Sequence, residues 1–447
     1  MILVGELALW IALLMAAWGA IVSFAGASAD HAALVVSGER ALVATFAGVV
    51  LATAGLLVAL VTSDFSLAYV ASFTAANLPI GYKIAALWAD RAGALLVWTL
   101  CLSTCATIAV ATNRTGDRSL MPYVAGLLSI ALLVFLVLLC FYASPYQRIA
   151  PIPPEGRGMA PELQHLAMVI HPPSLSLGYA ATVTPMAFAL AALVTRRVDA
   201  DWAYPLQRWL AIAWLFLTLG IVTGMWWEYA DPGRHERWAW NPVRSGAVVP
   251  WLGVAILGAL AGRYPRLRLT PRAGESAVVR KRRRGGVAIA IGGAAVVVLA
   301  LVGIPFSRRH TGSLGSGESA TLVDPFRRTW TFTSQGVSDF PERNRAVEAI
   351  ALRVTRDGAS HGLISSERRQ YVDSRGAAIF GPSLEAGIDH SLLQDTYVVL
   401  TNVVDDRAEV RIAFHPFRVW VWIGGIAIAI GGSMAMWPPA AIRAERL

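Results

Sequence analysis

Charge is scarce in this chain. Only 15% of its 447 residues are charged, against about 25% in a soluble domain, and 56% are hydrophobic. That balance excludes an ordinary soluble protein and points to an integral membrane protein. Cysteine is nearly absent: Cys101, Cys105 and Cys140 all fall in apolar stretches, and no C-x-x-C occurs. The pattern supports neither a zinc site nor a dithiol redox centre, and the three read as small buried apolar residues. Acidic and basic side chains are nearly missing from the apolar runs, with Glu6 and Arg418 at run ends, and no internal repeat is apparent. Both absences argue against a transporter. The formal net charge is +9, but the basic residues sit in short loops between apolar runs. They read as topology signals and not as a nucleic-acid surface.

What is present is a series of apolar runs, each about 18 residues or more, as spanning helices require. Nine are read: 5–26, 41–62, 93–112, 121–142, 174–194, 209–227, 247–262, 286–304 and 417–437. The first has Ala27-Ser28-Ala29 after it but carries Glu6 where a signal peptide is basic, so it is read as an uncleaved span. With the N-terminus outside, one side of the membrane collects Arg40, Arg114, Arg118, Arg196, Arg197, Arg208, the run from Arg263 to Arg284, Arg443 and Arg446. That side is expected to be cytoplasmic. The other side then holds segments 63–92, 143–173, 228–246 and the long polar 305–416.

Segment 305–416 alternates apolar and polar residues in TWTFTS at 329–334, Ala349 to Thr355, TYVVL at 396–400 and EVRIAF at 409–414. Turns are expected at Arg356-Asp357-Gly358 and Gly381-Pro382. The expected fold is therefore an all-α polytopic membrane protein of about nine helices, with a small β-rich extracytoplasmic domain before the last. Its parts are a membrane domain, 1–304, with eight helices; a β-rich domain, 305–416; and a final helix with its tail, 417–447.

Two stretches carry the chemistry. WWEYADPGRHERWAWNPVRSGAVVPW at 226–251 holds Trp226, Trp227, Trp238, Trp240 and Trp251, interrupted by Pro232, Pro242 and Pro250. Tryptophan collects at membrane–water interfaces, but five of them suggest a shelf for something flat. The second stretch, IHPPSLSLGY at 170–179, sets His171 before two prolines. They are expected to open the fifth span and hold His171 extended at the interface. An imidazole fixed there is a good axial ligand for haem iron.

SDFSLAYVASFTAANLPIGYKIAALW at 63–88, SPYQRIAPIPPEGRGMAPELQ at 144–164, IHPPSLSLGY, WLFLTLGIVTGMWW at 214–227 and WAWNPVRSGAVVPWL at 238–252 resemble the CcmF-type cytochrome c haem lyase subunits of the haem-handling membrane protein superfamily. So do ERRQY at 367–371, DTYVVL at 395–400 and HPFRVWVWIGGIAIAIGG at 415–432. The resemblance implies cytochrome c maturation: a b-type haem held transiently at the outer face and directed to apocytochrome c. The implied partners are a haem chaperone, apocytochrome c and other maturation subunits, with membrane lipid around the spans. It implies haem contacts from Trp226, Trp227, Trp238, Trp240, Pro242 and Trp251, with His171 as an iron ligand.

The departures from that family are specific. Its W-G-G-W-W-F-W-D-P reads Arg234, His235, Glu236, Arg237, Trp238, Ala239, Trp240, Asn241, Pro242 here, followed after Val243 by Arg244 and Ser245. Of the family's four haem-ligating histidines only His171 remains, so no second, membrane-embedded haem is expected. His235 is the candidate second axial ligand, with Arg234, Arg237 and Arg244 as partners for haem propionates. His165, His310 and His415 are further candidates. The alternative reading is a non-catalytic scaffold of the assembly complex that no longer binds haem.

Overall fold

A backbone surrounded by lipid must satisfy its own N–H and C=O groups, so long apolar runs become helices. The computed structural model describes residues 1–113, 118–196, 203–230, 246–263 and 277–437. Its helices are α1 Ile2–Ser28, α2 Ala32–Val61, the short α3 Ala68–Phe73 and α4 Ile80–Ala85, α5 Arg91–Thr112, α6 Met121–Phe141, α7 Leu166–Val194, α8 Ala203–Ala230, α9 Val248–Arg263, α10 Ala277–Val302 and α11 Arg418–Met436. Among the described residues, eight of these are long and apolar enough to cross a membrane. The chain is an integral membrane protein.

The expected seventh span, 247–262, forms α9, of 16 residues. At ~1.5 Å per residue it is shorter than a hydrocarbon core of about 30 Å. Three helices begin well before their apolar runs. α2 starts at Ala32 and takes in Glu39, which is 8% exposed and pairs with Arg118 at 2.8 Å. α10 starts at Ala277 and carries the run Arg280–Arg284 on its first turns. α7 starts at Leu166. The polarity of a sequence marks where a helix leaves the membrane, not where it ends. Close crossings let the spans pack: a Cβ on Gly293 of α10 would lie 2.7 Å from the Gly424 carbonyl of α11, and the reverse holds for Gly424.

Between α10 and α11 the chain makes nine antiparallel strands: β1 Arg308–Leu314, β2 Ser319–Val323, β3 Thr329–Glu342, β4 Arg345–Arg356, β5 Ala359–Tyr371, β6 Ser383–Glu385, β7 Gly387–Asp389, β8 Gln394–Val404 and β9 Arg407–Pro416. They form one sheet in the order β1-β9-β8-β7 and a second in the order β2-β3-β4-β5-β6. Trp330, Phe332, Ile350, Leu352, Val398, Leu400 and Phe414 fill the space between them. The expected turn at 356–358 is a tight hairpin, with Asp357 at φ 49° and Gly358 at φ 82°. β1 and β5 are mostly polar, and β2, β6 and β7 are only three to five residues long, so the alternation pattern does not reveal them.

The other face of the first sheet sits on the bundle. Tyr397, Val399 and Ala413 pack with Tyr229 at the end of α8, and Trp422 of α11 joins them. Asn344 Nδ2 donates to Gln164 Oε1 at 2.9 Å, and Asn77 Nδ2 donates to the Val372 carbonyl at 3.0 Å. These contacts gather the 63–90 and 143–165 segments, the start of α7, the end of α8 and the sandwich at one end of the bundle.

Candidate functional site

The site is built where the start of α7 meets the end of α8. His165 caps α7: its Nδ1 accepts the Ala167 N–H at 3.0 Å. His171 lies inside the helix, with Pro172 and Pro173 after it. It is therefore not held extended ahead of the span, as the dipeptide rule suggests. At Pro172 the bond lost is replaced. Pro172 has no N–H for the Met168 carbonyl, and Trp88 Nε1 donates to that carbonyl instead, at 2.8 Å.

The His171 ring is partly buried against α8. Its Nδ1 lies 2.7 Å from the Gly220 carbonyl. A carbonyl only accepts, so Nδ1 carries the proton and Nε2 keeps its lone pair. No hydrogen bond to Nε2 occurs among the described residues. The Trp227 ring meets His171 edge-on, with centroids 5.9 Å apart, while Trp226 meets His165 at 5.2 Å. Trp227 Nε1 donates to the Glu162 carbonyl at 3.0 Å, which ties the end of α8 to the loop before α7.

The structure thus brings His171 and Trp227 together, with Trp226 packed on His165 at the same end of the bundle. Trp251 is placed elsewhere: it stacks on Trp214 at 4.8 Å and donates through Nε1 to Thr218 Oγ1 at 2.9 Å. Thr218 is nine residues before Trp227, about 13 Å along the helix axis. Trp238, Trp240, Pro242, His235, Arg234, Arg237 and Arg244 lie outside the described residues.

Of the other histidines, His310 stands in β1, paired with Ile412. His415 is largely buried between Tyr397 and Tyr229, with ring centroids at 5.5 and 5.9 Å, and its Nδ1 is 3.2 Å from Ser307 Oγ. Burial first, then the guanidiniums of Arg418 and Arg309, push its pKa down to about 3. Nearby, His390 Nδ1 bonds Asp395 Oδ2 at 3.0 Å, and that bond raises the His390 pKa.

The two shifts act in opposite directions with pH. His415 binds a proton in the unfolded chain below its ordinary value of about 6.5 but not in the folded one, so its effect weakens the fold as pH falls from there toward 3. His390 does the reverse: its stabilising effect is present below the unfolded value and is lost as pH rises through the raised one. The His415 shift is the larger. The thermal midpoint of the purified protein should therefore fall between pH 7 and pH 4.5, and fall less in His415→Gln; equal slopes in the two proteins would reject this account.

Several residues of this end were not read from sequence. Trp88, Gly220, Gly224, Tyr229, Asp395 and the Gln164–Asn344 pair each act through a partner distant in the chain. Only the two glycines gave a local signal, their four-residue spacing.

The chain matches a family model described as cytochrome C assembly protein over residues 88–266, and one described as CcmF C-terminal beta-sandwich over residues 307–416. Together these take in well over half of it. These matches support a CcmF-type protein. It is 36% identical over 253 residues to the cytochrome c-type biogenesis protein ccl1 of Rhodobacter capsulatus, covering 57% of this chain and 39% of that one. Over 205 residues it is 37% identical to CcmF of Escherichia coli K12, covering 45% of this chain and 32% of the relative. The match to NrfE of Haemophilus influenzae is 37% over 198 residues, 44% of this chain and 31% of the relative. The chain thus spans well under half the length of these curated relatives. A solved structure titled cytochrome c heme lyase CcmF superposes with a TM-score of 0.76 at 18% identity, covering 98% of each chain, and shares the fold. The cytochrome C assembly protein match over 88–266 takes in His171, Trp226, Trp227 and Trp251.

Proposed function

We propose that this chain works in cytochrome c maturation, handling haem at the sandwich-bearing end of the bundle for covalent attachment to apocytochrome c. The observation that carries this is the state of His171: its Nδ1–H is spent on the Gly220 carbonyl, its Nε2 lone pair is unspent, and Trp227 stands beside it. That tautomer fits an iron ligand. When bound, haem supplies the vinyl groups to which cysteine thiols add. The protein's part is to hold and orient: His171 toward the iron, Trp226 and Trp227 as aromatic walls, and the Trp238, Trp240 and Pro242 segment as the rest of the shelf. Thioether formation gains chiefly from such positioning.

The sandwich-bearing end faces the outer, periplasmic side in this reading, with the N-terminus outside. The arginines at the opposite end, Arg118 and Arg280 to Arg284 among them, support that orientation. A haem chaperone and apocytochrome c are the partners the reading requires there.

The test is maturation in cells. In a strain lacking its own copy of this gene, the wild-type chain should restore haem-staining c-type cytochrome, and His171→Ala should leave it at background while accumulating in the membrane to the same level. A His171→Ala chain that restores cytochrome c fully would sink the assignment and favour the scaffold reading.

A further inference from the structure

Gly220 and Gly224 stand four residues apart on α8, so both face α7. A Cβ at Gly224 would lie 2.6 Å from His171 Cε1 and 2.8 Å from Nδ1. That is closer than real Cβ atoms come to a ring, so only glycine lets the imidazole rest there. Four residues earlier, the Gly220 carbonyl accepts the Nδ1–H at 2.7 Å and also takes Thr223 Oγ1 at 3.2 Å. A ring pushed away from Gly224 would leave that carbonyl.

His165 supplies the contrast. It sits at the same end of the bundle, against the neighbouring tryptophan, but its Nδ1 accepts a backbone N–H. Neutral His165 therefore carries its proton on Nε2 and presents a donor, not a lone pair. Two histidines six residues apart are held in opposite tautomers by backbone groups.

We propose that the Gly220–Gly224 notch is a positioning element that fixes His171 as an Nε2 ligand and leaves His165 as a helix cap. The proposal rests on the reading of His171 as the iron ligand. A ligand histidine whose second nitrogen is held by a carbonyl is fixed in ring plane and made more basic, and loss of such a partner costs about 10–100-fold in metal affinity. Gly224 and Gly220 touch no substrate in this account; they act through the imidazole.

The test uses the full chain in detergent, labelled with 15N-histidine, and hemin as the probe. In the haem-free wild type, the His171 signals, assigned by their absence in His171→Gln, should show a protonated Nδ1 and an unprotonated Nε2. Gly224→Ala should abolish that signature and weaken hemin binding by about 10–100-fold. Gly253→Ala, on α9 with nothing within 4 Å of the added carbon, should bind as the wild type does. A His171 that carries its proton on Nε2 in the unsubstituted protein overturns the proposal, even if Gly224→Ala does not fold. Hemin binding that needs His171 but is unchanged in Gly224→Ala overturns the notch alone. A wild type with no His171-dependent hemin binding overturns the haem reading, and the notch's role with it.

Discussion

Replacing Asp395 by alanine should lower the thermal midpoint of the purified protein by about 10 °C, the shift expected for roughly 3 kcal/mol. The side chain is fully buried where the sandwich meets the bundle, and its Oδ2 accepts both the Tyr229 hydroxyl and His390 Nδ1 at 3.0 Å. Arg418, 2% exposed, places its guanidinium 6.0 Å from the centre of the Tyr229 ring and feels the Asp395 charge. Alanine removes one member of a buried charged group while the others stay, which is the costly way to break such a group. Asp395→Asn keeps an acceptor for the Tyr229 hydroxyl and should lose less than half as much. Equal midpoints for the alanine variant and the wild type would show that the sandwich does not depend on this junction.

Trp330→Ala should cost about 3–5 kcal/mol, as removal of a large buried aromatic does. Trp330 is 2% exposed in the sandwich core, stacks with Phe332 at 6.3 Å and meets Phe414 at 5.6 Å. Its Nε1 donates to Asp324 Oδ2 at 2.9 Å. That carboxylate is fully buried and is further held by the N–H groups of Phe326 and Arg328, by Arg328 Nε and by Gln394 Nε2. Trp330→Phe keeps much of the volume and loses the donor, so it should cost about 1–2 kcal/mol. The measurement is limited proteolysis of detergent-purified protein: in Trp330→Ala cleavage should concentrate within 307–416 and spare the helices. A protease-resistant sandwich in Trp330→Ala would contradict the core assignment.

The spans were legible because lipid imposes one solution on an apolar run, and the long stretches at 121–142 and 417–437 mark α6 and α11 closely. Helix starts were not: α7 runs through Pro172, where Trp88, 80 residues away in sequence, repairs the Met168 carbonyl. In the sandwich, β3, β4, β8 and β9 are legible from their apolar residues, whereas β5, with Arg368 paired to Glu348 and Arg369 paired to Glu367 and Glu385, looks polar in isolation. His171 was legible from its proline context, but its tautomer was not. That depends on a carbonyl of another helix, and a sequence shows no carbonyl directions.

If His171 presents Nε2 to haem iron, a hemin titration of the purified full chain will show it. The wild type should give a saturable, shifted Soret band at one haem per chain, and His171→Ala should lose it. A band of equal position and affinity in His171→Ala, or no band in the wild type, would contradict the account.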